Sequence, residues 1–467
     1  MRKFIKKLTY VLVANVISML ISLITTVFVP AFFGNDIIQY GYYQIFMFYV
    51  GYVGFFHFGW CDGLYLRDGG KSYHQLNYSL YSIQFRILIV LEVIIALFLI
   101  IFSLFFDNNN YSFIIVMIAI NVLLLIPQTM LSHILQATNR MKEYAYITIA
   151  CRGIYGIILI CIFLFGYKDF RIIVIGYNIS YMLSFIISLF LCHDIVFSKA
   201  SSIFLGIIEA KINIGIGIKL LFANIASFLV TGIVRWGIQM EWDVVTYGKI
   251  SFTLSITNMI LVFINATSLV LYPIFKQKDN DYLVLIYIKI NNFLMIFTLG
   301  ILVFYYPISI LLTLWLPQYN DSLEYMAILF PICLYSAKMN LLVITYMKVF
   351  RFEKLIMLLN ICGVFIATIT TSISVFLLHN LNYTILSIVF NQMLHYVLAE
   401  FVLARKLKIN ILTDTLLECT MSVLFIVFNW GIGGWMGMIL YLLFYAILIY
   451  TKRKNIVSDF YSMIKFN

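Results

Sequence analysis

Charged residues are scarce in this chain. Only 11% of its 467 residues are Asp, Glu, Lys or Arg, whereas 63% are hydrophobic and the mean hydropathy is +1.00. A soluble protein of this length could not cover so much apolar surface with so few charges. The composition therefore excludes an ordinary soluble enzyme or binding domain, and it indicates an integral membrane protein.

The sequence also lacks the patterns that covalent chemistry and metal binding require. Its seven cysteines occur singly in or beside apolar segments, without C-x-x-C spacing, which is typical of small packed residues. The six histidines have no partner at metal-ligand spacing, and no glycine-rich phosphate loop is present. We therefore expect no catalytic residues, no metal, no cofactor and no direct use of ATP by this chain.

What the chain does have is a series of apolar runs that recur almost from end to end. About 20 apolar residues form a helix that crosses the hydrocarbon core of a bilayer. This rule predicts an all-α integral membrane protein with about fourteen transmembrane helices, at 8–30, 40–60, 82–106, 111–135, 145–166, 171–192, 215–234, 250–273, 285–306, 323–346, 355–378, 382–402, 412–430 and 434–451. The connections are too short to hold a folded extramembrane domain.

Basic residues follow the predicted topology. Most of the 31 Lys and Arg fall in alternate loops, which include both chain ends and residues 61–81 as well as Lys276 and Lys278. The opposite side receives only Lys168, Arg171, Arg235 and Lys249. The positive-inside rule then predicts that both termini are cytoplasmic. It also accounts for the net charge of +11 without a nucleic-acid partner.

An internal repeat divides the chain in two. Residues 14–26 read ANVISMLISLITT and residues 223–235 read ANIASFLVTGIVR, and the loops that follow them also match. Six helices per half is an even number, so the repeat is parallel, as in two-lobed transporters. We expect an N-terminal six-helix lobe at 1–192, an interfacial linker at 193–214, a C-terminal six-helix lobe at 215–403, and two additional helices with a cytoplasmic tail at 404–467.

The two repeated helices carry equivalent polar stripes. At 100° per residue, the polar side chains of each helix fall on one face. These residues are Asn15, Ser18 and Ser22 in the first helix, and Asn224, Ser227, Thr231 and Arg235 in the seventh. Small polar residues can join helices by close packing and hydrogen bonds. We favour a second interpretation, in which both stripes line a water-filled cleft between the lobes.

Ionisable residues inside predicted helices are the next signal, because a charge in the bilayer usually faces a cavity or a partner. Arg152 lies about eight residues, roughly 12 Å, inside its helix, Lys338 lies at similar depth, and Arg86 is shallower. Few acids are available to neutralise them, so we expect Arg152 and Lys338 to face the lumen and attract an anionic head group, with Arg86 assisting near the cytoplasmic entrance. Glu92 either pairs with Arg152 or takes up a proton during transport.

Residues 40–70 resemble the oligosaccharide flippase (polysaccharide transporter) family. They contain a YGxxQ pattern after the first helix and a Gly-Trp-x-Asp-Gly-x-Tyr-Leu-Arg-x-Gly-Gly run, which here comprises Gly59, Trp60, Asp62, Gly63, Tyr65, Arg67, Gly69 and Gly70. The resemblance implies the V-shaped fold of the multidrug/oligosaccharidyl-lipid/polysaccharide exporter superfamily. It also implies translocation of undecaprenyl-diphosphate-linked oligosaccharide, a surface polysaccharide repeat unit, from the cytoplasmic to the outer leaflet of a bacterial cell membrane. The partners implied are this lipid-linked substrate, membrane lipids and polysaccharide polymerase machinery.

Two other functions compete with this one. A multidrug or toxin antiporter would have the same fold, but its members often place a cation-coupling acid in helices one and seven, which contain no Asp or Glu here. A membrane polysaccharide polymerase or glycosyltransferase would need catalytic residues on a sizeable outer loop, and no such loop is present. A scaffold without transport would leave the buried cations without a purpose.

Overall fold

The computed structural model describes residues 2–275 and 280–464, and this part of the chain contains helices but no strand. Lys276 and Lys278, two of the residues predicted to be cytoplasmic, lie outside the described residues, as does Lys465. The chain divides into two compact units, Met1–Ile225 and Ala226–Asn467. Because the described residues form helices and no strand, the predicted all-α fold class is confirmed.

The first unit is built of helices, most of which are apolar. They are α1 (Arg2–Phe33), α2 (Ile37–Val53), α3 (Trp60–Asp68), α4 (Tyr78–Ser103), α5 (Asn109–Ala137), α6 (Met141–Phe165), α7 (Phe170–Leu191), the short α8 (His193–Val196) and the first part of α9 (Ile203–Glu241). Several of these helices begin at an N-cap residue whose side chain accepts a hydrogen bond from a free backbone N–H group. Asp36, Asn77 and Asp169 are examples. Buried amides then join neighbouring helices: Asn121 donates to Asn178 over 2.9 Å, and Gln128 donates to Ser184 over 2.8 Å.

The second unit takes up the rest of α9 and continues to the end of the described chain. Its helices are α10 (Val244–Phe275), α11 (Asn280–Val303), α12 (Tyr305–Trp315), α13 (Asn320–Leu329), α14 (Ile332–Lys338), α15 (Ile344–Val349), α16 (Glu353–Thr371), α17 (Leu381–Leu407), α18 (Leu412–Ile426) and α19 (Gly434–Ile464). A π-helical segment, Met339–Val343, connects α14 to α15.

The observed helices correspond to the predicted spans, with two differences. The predicted span 323–346 is not one straight helix: Pro317–Leu329 and Ile332–Val349 meet at 47°, because Pro331 cannot continue the helical hydrogen-bond pattern. The predicted break between the linker and helix seven at 214/215 is also absent. Residues 203–214 continue into α9, a single helix of 39 residues, since no proline interrupts it.

Eleven helices in the described part of the chain are long and apolar enough to cross a membrane, or up to twelve if the bent pair counts as one span. The two remaining predicted spans correspond to α2 and α10. Helix α2 has only 17 residues and is followed directly by the 3₁₀ turn Gly54–His57. Every predicted span therefore has a helical counterpart, and eleven or twelve of these meet the length and composition of a membrane span within the described residues.

Candidate functional site

Glycines of the family-like motif bring helix α3 against the N-terminal half of α9. Gly59 has a φ of +84°, and a Cβ atom on it would lie 2.6 Å from the backbone nitrogen of Ile218. A Cβ on Gly63 would overlap the carbonyl oxygen of Asn213, and one on Gly217 would overlap that of Gly59. The two backbones are in direct contact, which only glycine permits at these positions.

Polar residues of the same motif complete this helix contact. The indole nitrogen of Trp60 donates to Gln84 Oε1 over 3.1 Å, and the side-chain amide of Asn213 donates to the same oxygen over 2.8 Å. Arg67 forms an ion pair with Glu209 and donates to Asn213 Oδ1 over 3.2 Å. These motif residues therefore hold α3, α4 and α9 together within the first unit.

The remaining motif residues lie around this contact. Gly69 ends α3, and Gly70, with a φ of +97°, donates its backbone N–H to the carbonyl of Ala137 at the end of α5 over 3.1 Å. Tyr65 is exposed and its ring lies 5.5 Å from that of His133. Asp62 Oδ2 lies 3.9 Å from His57 Nε2, and burial raises the pKa of the Asp62 carboxyl to about 6.

Arg152 lies near the middle of α6, roughly 16 Å from the start of that helix. It is half-buried, and tyrosine side chains from the three helices α2, α6 and α7 lie near its guanidinium. Two pairs of these hydroxyls are close together, Tyr43 with Tyr155 at 3.4 Å and Tyr177 with Tyr181 at 3.3 Å. Among the residues whose side chains the structure describes, no carboxylate forms an ion pair with Arg152.

The chemistry of this tyrosine-lined cation suits an anion. A guanidinium inside a membrane-spanning helix is costly unless a counter-charge or water reaches it. Its planar fork can donate two parallel hydrogen bonds to a phosphate, and the surrounding hydroxyls can donate further ones. Glu92 does not supply the counter-charge, because it is fully buried and neither of its carboxylate oxygens has a hydrogen-bond partner among the described residues. The predicted pairing of Glu92 with Arg152 is therefore not observed.

Lys338 has a different environment from the one that its sequence context predicts. Its side chain is fully buried, forms an ion pair with Glu418 and lies 3.7 Å from Glu400 Oε1. The expectation that few acids could neutralise Lys338 is wrong, because the packing of α14 on α17 and α18 brings together carboxylates that are distant in the sequence. Lys338 is already engaged by two acids and is not free to bind a substrate anion.

The two other predicted cations make local contacts. Arg86 is exposed, and its guanidinium donates to the carbonyl of Ser198 over 3.2 Å. Arg235 is half-buried and donates to Tyr247 Oη over 3.2 Å and to Ser251 Oγ over 3.1 Å. Arg235 therefore contacts α10.

The polar stripes of α1 and α9 are partly open. Ser22, Asn224 and Ser227 are exposed, and Asn15, Ser18 and Thr231 are half-buried. Ser18 Oγ donates to the carbonyl of Ala14 in its own helix over 2.9 Å. Exposed polar side chains on apolar helices agree with an aqueous surface better than with tight helix packing. The role of these stripes stays a prediction.

Sequence reasoning missed the functional potential of Glu400, Glu418 and the four tyrosines around Arg152. A signal for the acids was present, because both fall inside predicted spans, where ionisable residues are rare. For the tyrosines there was only the spacing of Tyr177 and Tyr181, four residues apart on one helix face. Tyrosine is so frequent in this chain, with 33 copies, that this spacing did not distinguish them.

No family model matches this chain, and no curated protein sequence matches it. Solved structures, by contrast, do match this chain. A multidrug resistance MATE family transporter of the MOP superfamily, in an inward-facing conformation, matches with a TM-score of 0.63 and 11% identity over 84% of this chain and 98% of that one. The lipid II flippase MurJ, in an inward closed conformation, matches with a TM-score of 0.60 and 12% identity over 96% of this chain and 99% of that one. The chain therefore has the helical fold shared by these MOP-superfamily transporters.

Proposed function

We propose that the protein is a flippase that moves an undecaprenyl-diphosphate-linked oligosaccharide from the cytoplasmic to the outer leaflet of a bacterial cell membrane. The observation that carries this proposal is Arg152, a cation inside a membrane-spanning helix with no acid partner among the described residues. The fold likeness to a lipid II flippase supports the same class of substrate. The substrate diphosphate would supply the counter-charge that the first unit itself does not provide.

Arg152 and its tyrosines would recognise the diphosphate together. The guanidinium would form a bidentate pair with phosphate oxygens, and Tyr177 or Tyr181 would donate a hydroxyl to the same group. The other tyrosine pair, Tyr43 and Tyr155, presents further hydroxyls from α2 and α6. Such a site distinguishes a phosphorylated carrier from a cationic drug, which would be repelled.

The decisive experiment substitutes Arg152 in a strain that lacks its own flippase. We expect Arg152→Ala to abolish export of surface polysaccharide and Arg152→Lys to lower it by about tenfold or more, since one or two charge-assisted hydrogen bonds are lost. Export is measured as surface polysaccharide per amount of membrane-inserted protein. Arg405→Ala, which changes an exposed arginine at the end of α17, is the matched control and should export normally. Full export by Arg152→Ala would refute the proposed role.

A second candidate function, multidrug or toxin export, is favoured by one observation. Glu92 is a fully buried acid whose carboxylate oxygens have no hydrogen-bond partner among the described residues, as expected of a residue that binds a proton or a cationic drug. The fold likeness to a MATE transporter fits this function equally well. Drug susceptibility of a sensitised strain separates the two functions. Resistance that requires Glu92 and persists in Arg152→Ala would support the exporter, and its absence would support the flippase.

The polar stripes are proposed to line the transport path. Single cysteines at Asn15, Ser22, Asn224, Thr231 and Arg235 are expected to react with a water-soluble thiol reagent in a background without the native cysteines. Leu20 and Phe222 are exposed positions on the opposite faces of the same helices and serve as controls. Protection of the polar positions together with reaction at the controls would favour the alternative in which the stripes join helices.

A further inference from the structure

Three charged side chains meet inside the second unit. Lys338 comes from α14, Glu400 from α17 and Glu418 from α18, and all three side chains are 0% exposed. This Lys338–Glu400–Glu418 cluster has two carboxyl groups but a single ammonium group. It belongs to none of the substrate contacts proposed above.

The two carboxyl groups are not equivalent. Glu418 accepts from Lys338 at one oxygen and from the Tyr396 hydroxyl, over 3.1 Å, at the other. Glu400 accepts from Thr415 over 2.8 Å at Oε2, whereas its buried Oε1 has no hydrogen-bond donor among the described residues. Its distance of 3.7 Å from Lys338 Nζ exceeds that of a hydrogen bond. Lys338 therefore stabilises the carboxylate of Glu418 in preference to that of Glu400.

A count of charges points to a bound proton. With both acids ionised, the cluster would carry one uncompensated negative charge in a site without solvent contact, which is energetically costly. A third acid near Lys338, Asp414, already has its own cation in Lys452 at 2.5 Å. Among the described residues, the other titratable groups that the structure places beside the cluster are Tyr287, Tyr335, Tyr396 and Cys419, none of which is basic. Two carboxyl groups that share one cation commonly retain one proton between them.

We propose that the Glu400–Glu418 pair is a proton-binding site: the two carboxyl groups share one proton, and the pair releases it to water when the cluster opens. In that step one carboxylic O–H bond of the pair breaks, the proton passes to solvent, and Lys338 stays an ammonium ion shared by two carboxylates. The π-helical segment Met339–Val343 follows Lys338 directly, and such segments interrupt the regular hydrogen bonding of a helix. The ammonium group is thus attached to backbone whose hydrogen bonding is already irregular.

The test measures protonation directly on the purified full-length protein in lipid nanodiscs. Infrared spectroscopy at neutral pH should show a carboxylic-acid C=O component in the wild type that is missing from Glu400→Gln. Glu418→Gln should also lose this component, because a single carboxylate beside the Lys338 ammonium group leaves no excess negative charge for a proton to neutralise. Glu324→Gln, which changes an exposed acid in the same unit, should keep it. Identical C=O absorbance in the wild type and in Glu400→Gln would overturn the proposal.

Thermal stability provides a second measurement. Because glutamine has nearly the shape of a protonated glutamic acid, Glu400→Gln should melt at the wild-type temperature. A large loss of stability or failure to fold would show that a charged Glu400 is required, which also contradicts the proposal. Neither the infrared measurement nor the thermal measurement requires a substrate.

The link to transport rests on the proposed function and is tested separately. In proteoliposomes, Glu400→Gln should lose the response of lipid translocation to an imposed pH gradient, whereas Glu324→Gln should keep it. If the infrared component behaves as expected but no diphosphate lipid is moved even by the wild type, the proposed substrate is wrong and the proton site stands. If the wild type moves the lipid but shows no Glu400 infrared component, the proton site is wrong and the proposed substrate stands.

Discussion

Arg67 in helix α3 forms an ion pair with Glu209 in helix α9, 142 positions later in the chain. Both residues also belong to a larger contact, since Arg67 donates to Asn213, which in turn donates to Gln84. The family-like motif that Arg67 belongs to thus anchors the first part of α9 to the first unit. In this chain the motif has a structural role in helix docking.

The Arg67–Glu209 pair should contribute modestly to stability. The side chains are 33% and 19% exposed, so solvent screens their attraction, and we expect a coupling energy of about 0.5–1 kcal/mol. A double-mutant cycle with Arg67→Ala and Glu209→Ala, followed by denaturant unfolding in detergent, measures this coupling. Strictly additive effects of the two substitutions would show that the pair contributes nothing.

The glycine contact between α3 and α9 should be much more sensitive. In Gly63→Ala and Gly217→Ala the added Cβ atom overlaps backbone, which cannot move aside as a side chain can. We expect each substitution to destabilise the protein by about 1–3 kcal/mol or more, the usual cost of overpacking. Thermal melting in detergent measures the loss. Gly153→Ala and Gly215→Ala are matched controls in helices, because a Cβ meets nothing within 4 Å there.

Asp62 should make stability depend on pH. Burial raises the pKa of its carboxyl to about 6, above the value of about 4 in an unfolded chain. A raised pKa in the folded state stabilises the protonated form, so this contribution is complete below about pH 4 and is lost as the pH rises through 6. The melting temperature of the wild type should therefore fall more between pH 5 and pH 7 than that of Asp62→Asn. Equal pH dependence of the two proteins would contradict this assignment.

The predicted topology places residues 61–81 and both termini on the cytoplasmic side. Single cysteines at Lys71 and Lys408, which are exposed, should be protected from an impermeant thiol reagent in whole cells and should react after permeabilisation. A cysteine at Asn109, at the exposed start of α5, should react in intact cells. The reverse pattern would invert the topology.

Much of the fold was predictable because it depends on local properties of the chain. The length of each apolar run predicts a helix wherever about 20 residues can span a bilayer, and every predicted span corresponds to an observed helix. Proline at 331 explains why one of those spans is bent, and an Asn or Asp before a run explains where several helices begin. The unusual glycine spacing at 59–70 was visible too, although its purpose was not.

Only tertiary structure decided which charges meet. Sequence alone presented Arg152 and Lys338 as two similar buried cations, yet packing gives Lys338 two carboxylates and surrounds Arg152 with tyrosines. The reason is geometric: which faces of α14, α17 and α18 point toward one another depends on how the helices pack, and no local pattern encodes that. Hydropathy therefore determined that the chain is a membrane-spanning helical protein, whereas helix packing determined which of its buried charges meet a charge of opposite sign.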